Sequence, residues 1–180
     1  VSEVIREAAE PHLDRGVEII FELNLKSKED ISQPVIQRLP EIIHGLRNMI
    51  QNAIDFASSK VWIILSWSES DIKITINDDG PGFPLQMISR IGDPFVSYRK
   101  SSSVREKHME YEGMGLGLFI AKTLLERTNA KLNFSNGASR SVDDLNNDGQ
   151  KGAVVEISWT RTDIEKKKNL SGENENLNVL

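Results

Sequence analysis

From Ile43, the apolar positions Leu46, Ile50, Ala53 and Ala57 recur at steps of three and four, which is the spacing of one face of an α-helix. Pro40 stands just ahead of this stripe, where a helix tolerates proline, so a helix is predicted over 40–57. Asn48, Asn52 and Asp55 fall on its opposite face. The period then changes to two in Val61, Ile63, Leu65 and Trp67, and again, after the polar turn SESD, in Ile72, Ile74 and Ile76. Residues 60–78 therefore read as a β-hairpin ending at Asp78. Residues 17–25 cluster β-branched and aromatic side chains and read as a strand, with a polar turn after it. Two more strands are predicted over 130–135 and 153–159, joined by a polar, Asn/Asp-rich insert at 141–152 that reads as a flexible loop. A second amphipathic helix, over 112–127, turns Leu118, Ala121, Leu124 and Leu125 inward.

The remaining segments lack such stripes. Residues 1–9 are helix-compatible up to Pro11. Residues 96–112 show neither period and read as a mobile loop, and 161–180 is a charged, Asn-rich tail expected to be disordered. Strands grouped around two long helices, without regular βαβ alternation, predict an α+β fold. It is a two-layer α/β sandwich with a mixed, mostly antiparallel sheet and helices on one face.

Composition narrows the function more than the fold. The 180 residues are 38% hydrophobic, enough for one sizeable core. Lys+Arg 22 against Asp+Glu 27 leaves a net charge of −5, which argues against nucleic acid or an anionic membrane as partner. An anionic ligand must then be held by local features. Cysteine is absent, so disulfides, thiolate metal sites and a cysteine nucleophile are excluded, and a reducing compartment is permitted. No apolar run approaches the length of a membrane span.

Three places offer chemistry. Asn48 and Asn52, four apart on one helix face, can share a ligand, and a carboxamide oxygen suits one position of a Mg²⁺ octahedron completed by phosphate and water. Taken alone, the pair also fits an ordinary solvated face. Asp78 ends a strand and is followed by Gly80 and Gly82, where a fixed carboxylate beside open backbone can accept a hydrogen bond from an exocyclic amine such as that of adenine; a tight Asp-Gly turn is the plainer reading. Gly113, Gly115 and Gly117 run into a helix whose first N–H groups are free to cradle phosphate, or else form a lid hinge. No Walker lysine and no βαβ context accompany them. Arg99, Lys100, Arg105 and Lys107 precede these glycines as the nearest cations for a triphosphate, with Phe95 as an apolar anchor for the loop.

In order, HGLRNMIQNAIDFA (44–57), INDDGPGFP (76–84), GDPFVSYRKS (92–101) and EGMGLGLFIAKTLLE (112–126) resemble the N box, first glycine box, F box and second glycine box of two-component sensor histidine kinase catalytic domains. The resemblance covers about 17–160 and implies the Bergerat ATP-binding fold. The wording is most similar to the RegB/PrrB/ActS redox-sensor kinases of proteobacteria. It implies ATP and Mg²⁺ as cofactors, Asn52 as the metal ligand, Asn48 beside the phosphates and Asp78 as the adenine anchor. Gly80 and Gly82 would floor the base pocket. Phe95, Lys100, Gly113, Gly115, Leu116 and Gly117 would belong to the phosphate side and its lid.

The resemblance also implies partners: a dimerisation domain carrying the phosphoacceptor histidine, in a full-length homodimer, and a response regulator downstream. None of His12, His44 and His108 sits in a His-acidic-x-x-x-Pro run. Residues 1–15 are thus expected to be the end of a dimerisation helix and its linker, 16–160 the catalytic domain, and the location cytoplasmic, with any membrane anchor elsewhere. Asp55 stands where many of these kinases carry Lys or Arg, and Asn129 where a glycine commonly follows the last helix. Two other readings compete. A hydrolytic Bergerat ATPase places a glutamate four residues before the metal asparagine, where this chain has Asn48, and an amide cannot serve as a base. A nucleotide-sensing pseudokinase would keep the boxes but not transfer phosphate.

Overall fold

The two apolar periods sort the chain into one sheet and one helical layer. A computed structural model describes residues 1–24, 31–91, 116–137 and 152–165. Helix α1 (Ser2–Ala9) runs into a 3₁₀ turn (Glu10–His12). Strand β1 (Glu18–Leu23), helix α2 (Pro40–Phe56) and the hairpin of β2 (Lys60–Trp67) and β3 (Asp71–Asp78) follow, then a second 3₁₀ segment (Leu85–Arg90). Helix α3 (Leu116–Glu126), strands β4 (Lys131–Asn136) and β5 (Ala153–Thr160), and a single turn, α4 (Arg161–Ile164), complete the order. The sheet runs β1-β2-β3-β5-β4. Only the β1–β2 pair is parallel, so the mixed, mostly antiparallel sheet predicted from the chain is the one observed.

Register explains which side of the sheet is covered. Ile63 pairs with Ile76, and Ile74 with Ile157, so the alternating apolar residues of β2, β3 and β5 line up on one face. Val61, Ile63, Leu65, Ile72, Ile74, Ile76, Ile157 and Trp159 are all buried there. The opposite face carries the ion pair of Lys73 with Glu156, and Asn133 donates to the same carboxylate at 3.2 Å. The stripe of α2 buries Ile42, Leu46, Met49 and Ile50 completely, and each such side chain contributes about 2 kcal/mol of apolar transfer. Pro40 occupies the first turn of α2, as predicted.

Helix α2 packs against α3, α1 and β3. Its approach to α3 is close because residue 45 is glycine: a Cβ there would lie 2.6 Å from Leu125 Cγ. Gly45→Leu is accordingly expected to lower stability by about 3 kcal/mol, read as a loss of melting temperature and urea midpoint. At the end of α3, Asn129 adopts φ +65, and the Ala130 N–H returns to the Leu125 carbonyl at 3.2 Å. Asparagine closes this helix in the left-handed conformation expected of it. The buried Trp159 Nε1 donates to Thr128 Oγ1 at 2.9 Å in the same corner.

Both ends of the described chain join the core. Val4, Ile5, Ala8 and Ala9 of α1 are buried within it, and Arg38 grips Glu7 through Nε at 2.8 Å and through a second N–H. Residues 161–165, expected as the start of a disordered tail, are ordered. Arg161–Ile164 is helical, Ile164 is 2% exposed, and Glu165 forms a bridge with Ile36. One apolar residue among charges gives no visible stripe, and the segment that pairs with this turn, at Ile36 and Gln37, is distant in sequence. Residues 166–180 lie outside the described residues, as does the loop read at 96–112.

Candidate functional site

The polar face of α2 is where the sequence placed it. Asn48 and Asn52 are half-buried, and among the described residues neither amide has a hydrogen-bond partner. A half-buried amide pair left unpaired is open to a ligand. One turn on from Asn52, α2 ends at Phe56, and its carbonyl abuts the loop after β3: a Cβ on Gly80 would lie 2.2 Å from Phe56 O. Glycine at 80 thus allows the loop after Asp78 to close against the end of the helix that carries the asparagines.

Asp78 is 2% exposed. Its Oδ1 accepts the N–H of Gly80 at 2.8 Å and that of Ala153 at 3.2 Å; among the described residues, both of its hydrogen bonds fall on this oxygen. Oδ2 keeps its lone pairs for a donor that reaches the loop. Burial pushes the carboxyl above the ordinary aspartate range. The two N–H groups oppose that shift, and neighbouring Asp79 adds to it. The tight Asp-Gly turn and the fixed Asp78 carboxylate, read as alternatives from the sequence, are thus parts of one structure. Gly82 adopts φ +75, and Asn136 fixes the next residue by accepting from Phe83 N at 2.6 Å and donating to Phe83 O at 2.8 Å. Phe83 meets Phe134 edge to face.

Leu116 and Gly117 open α3, half-buried and exposed respectively, and nothing lies within 4 Å of a Cβ built on Gly117. The backbone at that end of α3 is uncovered by the described residues. Phe95, Lys100, Gly113 and Gly115 lie outside the described residues.

Three contributors escaped the sequence reading. Gly152, taken there as the last residue of a flexible insert, donates its N–H to Asp78 O at 2.9 Å, and a Cβ on it would sit 2.0 Å from Asp78 Oδ1. Asn136 is the clamp just described. Asp79 ties the turn after α2: its Oδ1 accepts from Ser58 N at 2.7 Å and Ser59 N at 2.9 Å, and its Oδ2 from Ser59 Oγ at 2.6 Å. Burial alone would raise the Asp79 carboxyl, but these donors hold it below its ordinary value. A side chain at 152 collides with the carboxylate and with the backbone of Asp78 and Gly80, so Gly152→Ala is expected to lower stability by about 2 kcal/mol, read as a lower melting temperature.

Residues 38–163 match the model of the histidine kinase-, DNA gyrase B- and HSP90-like ATPase family. The chain belongs to this family. As a member of an ATPase family it takes ATP as its nucleotide. The sensor histidine kinase RegB of Cereibacter sphaeroides is 52% identical over 159 residues, spanning 88% of this chain and 34% of the relative; the chain thus covers about a third of that protein. The C4-dicarboxylate transport sensor protein DctB of Pseudomonas aeruginosa is 28% identical over 96 residues, 51% of this chain and 14% of that protein. Among solved structures, the mycobacterial sensor histidine kinase MprB has a TM-score of 0.62 at 21% identity, over 88% of this chain and 94% of that one. The catalytic domain of histidine kinase ThkA has a TM-score of 0.63 at 21% identity, over 89% and 91%. These structures share the fold, and the two sequence relatives are a sensor histidine kinase and a transport sensor protein. Among the described residues, no helix of this ATPase-family chain is long and apolar enough to cross a membrane.

Proposed function

We propose that this chain binds ATP with Mg²⁺ and presents the γ-phosphate to a histidine on a dimerisation domain outside it, with a response regulator downstream. The observation that carries this reading is the arrangement at the end of α2. A buried carboxylate with its Oδ1 occupied by backbone N–H groups stands beside a helix face bearing two unpartnered amides.

In this reading Asp78 Oδ2 accepts the exocyclic amine of adenine, and Gly80 and Gly82 let the base approach the backbone. Asn52 offers its amide oxygen to the metal, with Asn48 beside the phosphates. No group of three or more His, Cys, Asp or Glu able to hold a metal occurs among the described residues. That suits an ion held by one amide, phosphate oxygens and water. Mg²⁺, when bound, offsets charge on the phosphates. At the position where a hydrolytic enzyme needs a base, Asn48 has no proton acceptor of adequate strength. In this reading the γ-phosphoryl group passes to the unprotonated nitrogen of an imidazole: the bond from phosphorus to the β–γ bridging oxygen breaks, ADP leaves, and the proton on the other ring nitrogen is lost to solvent.

Incubation with γ-labelled ATP tests the proposal. The chain alone is expected to hydrolyse slowly and carry no stable label. Addition of the protein's own dimerisation domain should produce an acid-labile phosphohistidine there. Label stably bound to this chain, or fast turnover by it alone, would favour the hydrolytic reading instead; nucleotide binding with no transfer to the dimerisation domain would favour a nucleotide sensor.

A further inference from the structure

Asp55 lies three residues after Asn52 and seven after Asn48, so all three project from one side of α2. A carboxylate on the face read as phosphate-binding is electrostatically adverse, because each negative charge on the polyphosphate is repelled by it. The structure provides a counter-charge from elsewhere in the chain. Arg15, in the connector between the 3₁₀ turn after α1 and strand β1, reaches Asp55 with NH1 to Oδ1 at 3.4 Å. Gln51 Nε2 approaches the two oxygens of the same carboxylate at 3.3 and 3.1 Å, so Asp55 is held between its own helix and the connector. A guanidinium has five N–H donors, and this contact uses one.

The connector is not a loose strand end. His12, the last residue of the 3₁₀ turn that leads into it, is 3% exposed, with no hydrogen-bond partner for either ring nitrogen among the described residues. Burial first, and the charges of Arg15 and Arg47, push the imidazole below the ordinary histidine range against the opposing pull of Asp55. His12, Arg15, Arg47 and Asp55 therefore meet at one junction, where α1 is anchored to α2 through Val4, Ile5, Ala8 and Ala9.

We propose that Arg15 is a positioning residue of the nucleotide site. It cancels the charge of Asp55 on the phosphate-facing side of α2, so that affinity for the triphosphate depends on the α1–β1 connector being seated. This rests on the reading of Asn48 and Asn52 as phosphate- and metal-side groups.

The test is a set of calorimetric titrations on the full chain with MgATP and with adenosine. Arg15→Ala should weaken MgATP about two- to fivefold, the range open to a pair that is about 40% exposed on each side. Adenosine, which has no phosphate charge, should bind as before. Asp55→Asn alone should bind MgATP as tightly as the parent or more so, and Arg15→Ala combined with Asp55→Asn should return to within about twofold of it. The Arg15→Ala effect should also shrink as salt rises. Equal losses for MgATP and adenosine, or no rescue by Asp55→Asn, would overturn the proposal. Asn52→Ala in the same series separates the two levels. If it leaves MgATP affinity unchanged, the phosphate-side reading has failed; if it weakens MgATP while Arg15→Ala does not, only the role of Arg15 has failed.

Discussion

Asp78→Asn is expected to cost about a hundredfold in ATP affinity and, at the same time, to raise the melting temperature of the nucleotide-free chain. The loss follows from where the two backbone donors fall. Gly80 N–H and Ala153 N–H both point at Oδ1, so an asparagine is oriented by them. Its carbonyl takes the Oδ1 place and its NH₂ the Oδ2 place. The group that would accept from an exocyclic amine becomes a donor facing a donor. A hydrogen bond to a charged partner contributes about 1.5–3 kcal/mol, a factor of roughly 10–150. GTP, with a carbonyl at that position of the base, should lose far less, so that the ratio of the two affinities reports the polarity of residue 78 directly.

The gain in stability comes from the same burial. The carboxyl of Asp78 is raised in the folded chain, which means the fold prefers its protonated form. The sign is that of any group with a raised folded value: its stabilising contribution is complete below the ordinary aspartate range and is lost as pH rises through the folded value. At neutral pH the native chain therefore carries the full cost of an ionised buried carboxylate, which asparagine does not. An increase of about 2–5 °C at pH 7.5 is expected for a domain of this size, closing as the pH is lowered through the carboxylate range. Melting curves at several pH values check this, and a lower melting temperature for Asp78→Asn at pH 7.5 would contradict it.

Asn52→Ala is expected to abolish most of the enhancement of ATP binding by Mg²⁺ while leaving the fold intact. The side chain is half-buried on the polar face of α2 and has no partner among the described residues, so its removal breaks no hydrogen bond and opens no core cavity. Alanine also has the higher helix propensity, which favours α2 by a few tenths of a kcal/mol. Any loss of binding is then a loss at the ligand. Titrations with and without Mg²⁺ should converge in the mutant. A folded mutant in which Mg²⁺ still enhances binding to the parental extent would remove Asn52 from the metal.

The elements that could be read from the chain are those whose pattern is long and local. The α2 stripe and the β2–β3 alternation each run without interruption, so period alone gave their type and their inward faces. Asn129 was legible for a different reason, since asparagine tolerates a left-handed φ with little strain. What was missed depends on contacts far apart in sequence. Gly152 matters because of Asp78, Asn136 because of Phe83, and Ile164 because of the segment around Ile36, and no window of neighbouring residues contains any of these three pairs. The same applies to Asp55: its spacing shows that it shares a face with Asn52, but nothing local shows that Arg15 faces it.

The position of β5 has a consequence for when the chain becomes able to bind. This strand is the last of the five in sequence, yet it lies between β3 and β4 in the sheet, and its first residue, Ala153, supplies one of the two N–H groups that hold Asp78 Oδ1, 75 positions earlier. During synthesis, the helix with the asparagines and the strand with the aspartate emerge first, but the carboxylate lacks the second of its two backbone donors, and the strand its partner on that side, until β5 enters the middle of the sheet. On the proposed role of Asp78, full nucleotide affinity is then a late property of this chain, and a bound nucleotide favours molecules whose final strand is in place. Retention on immobilised ATP would for that reason select chains by the completeness of their sheet, a stricter criterion than solubility or helical content.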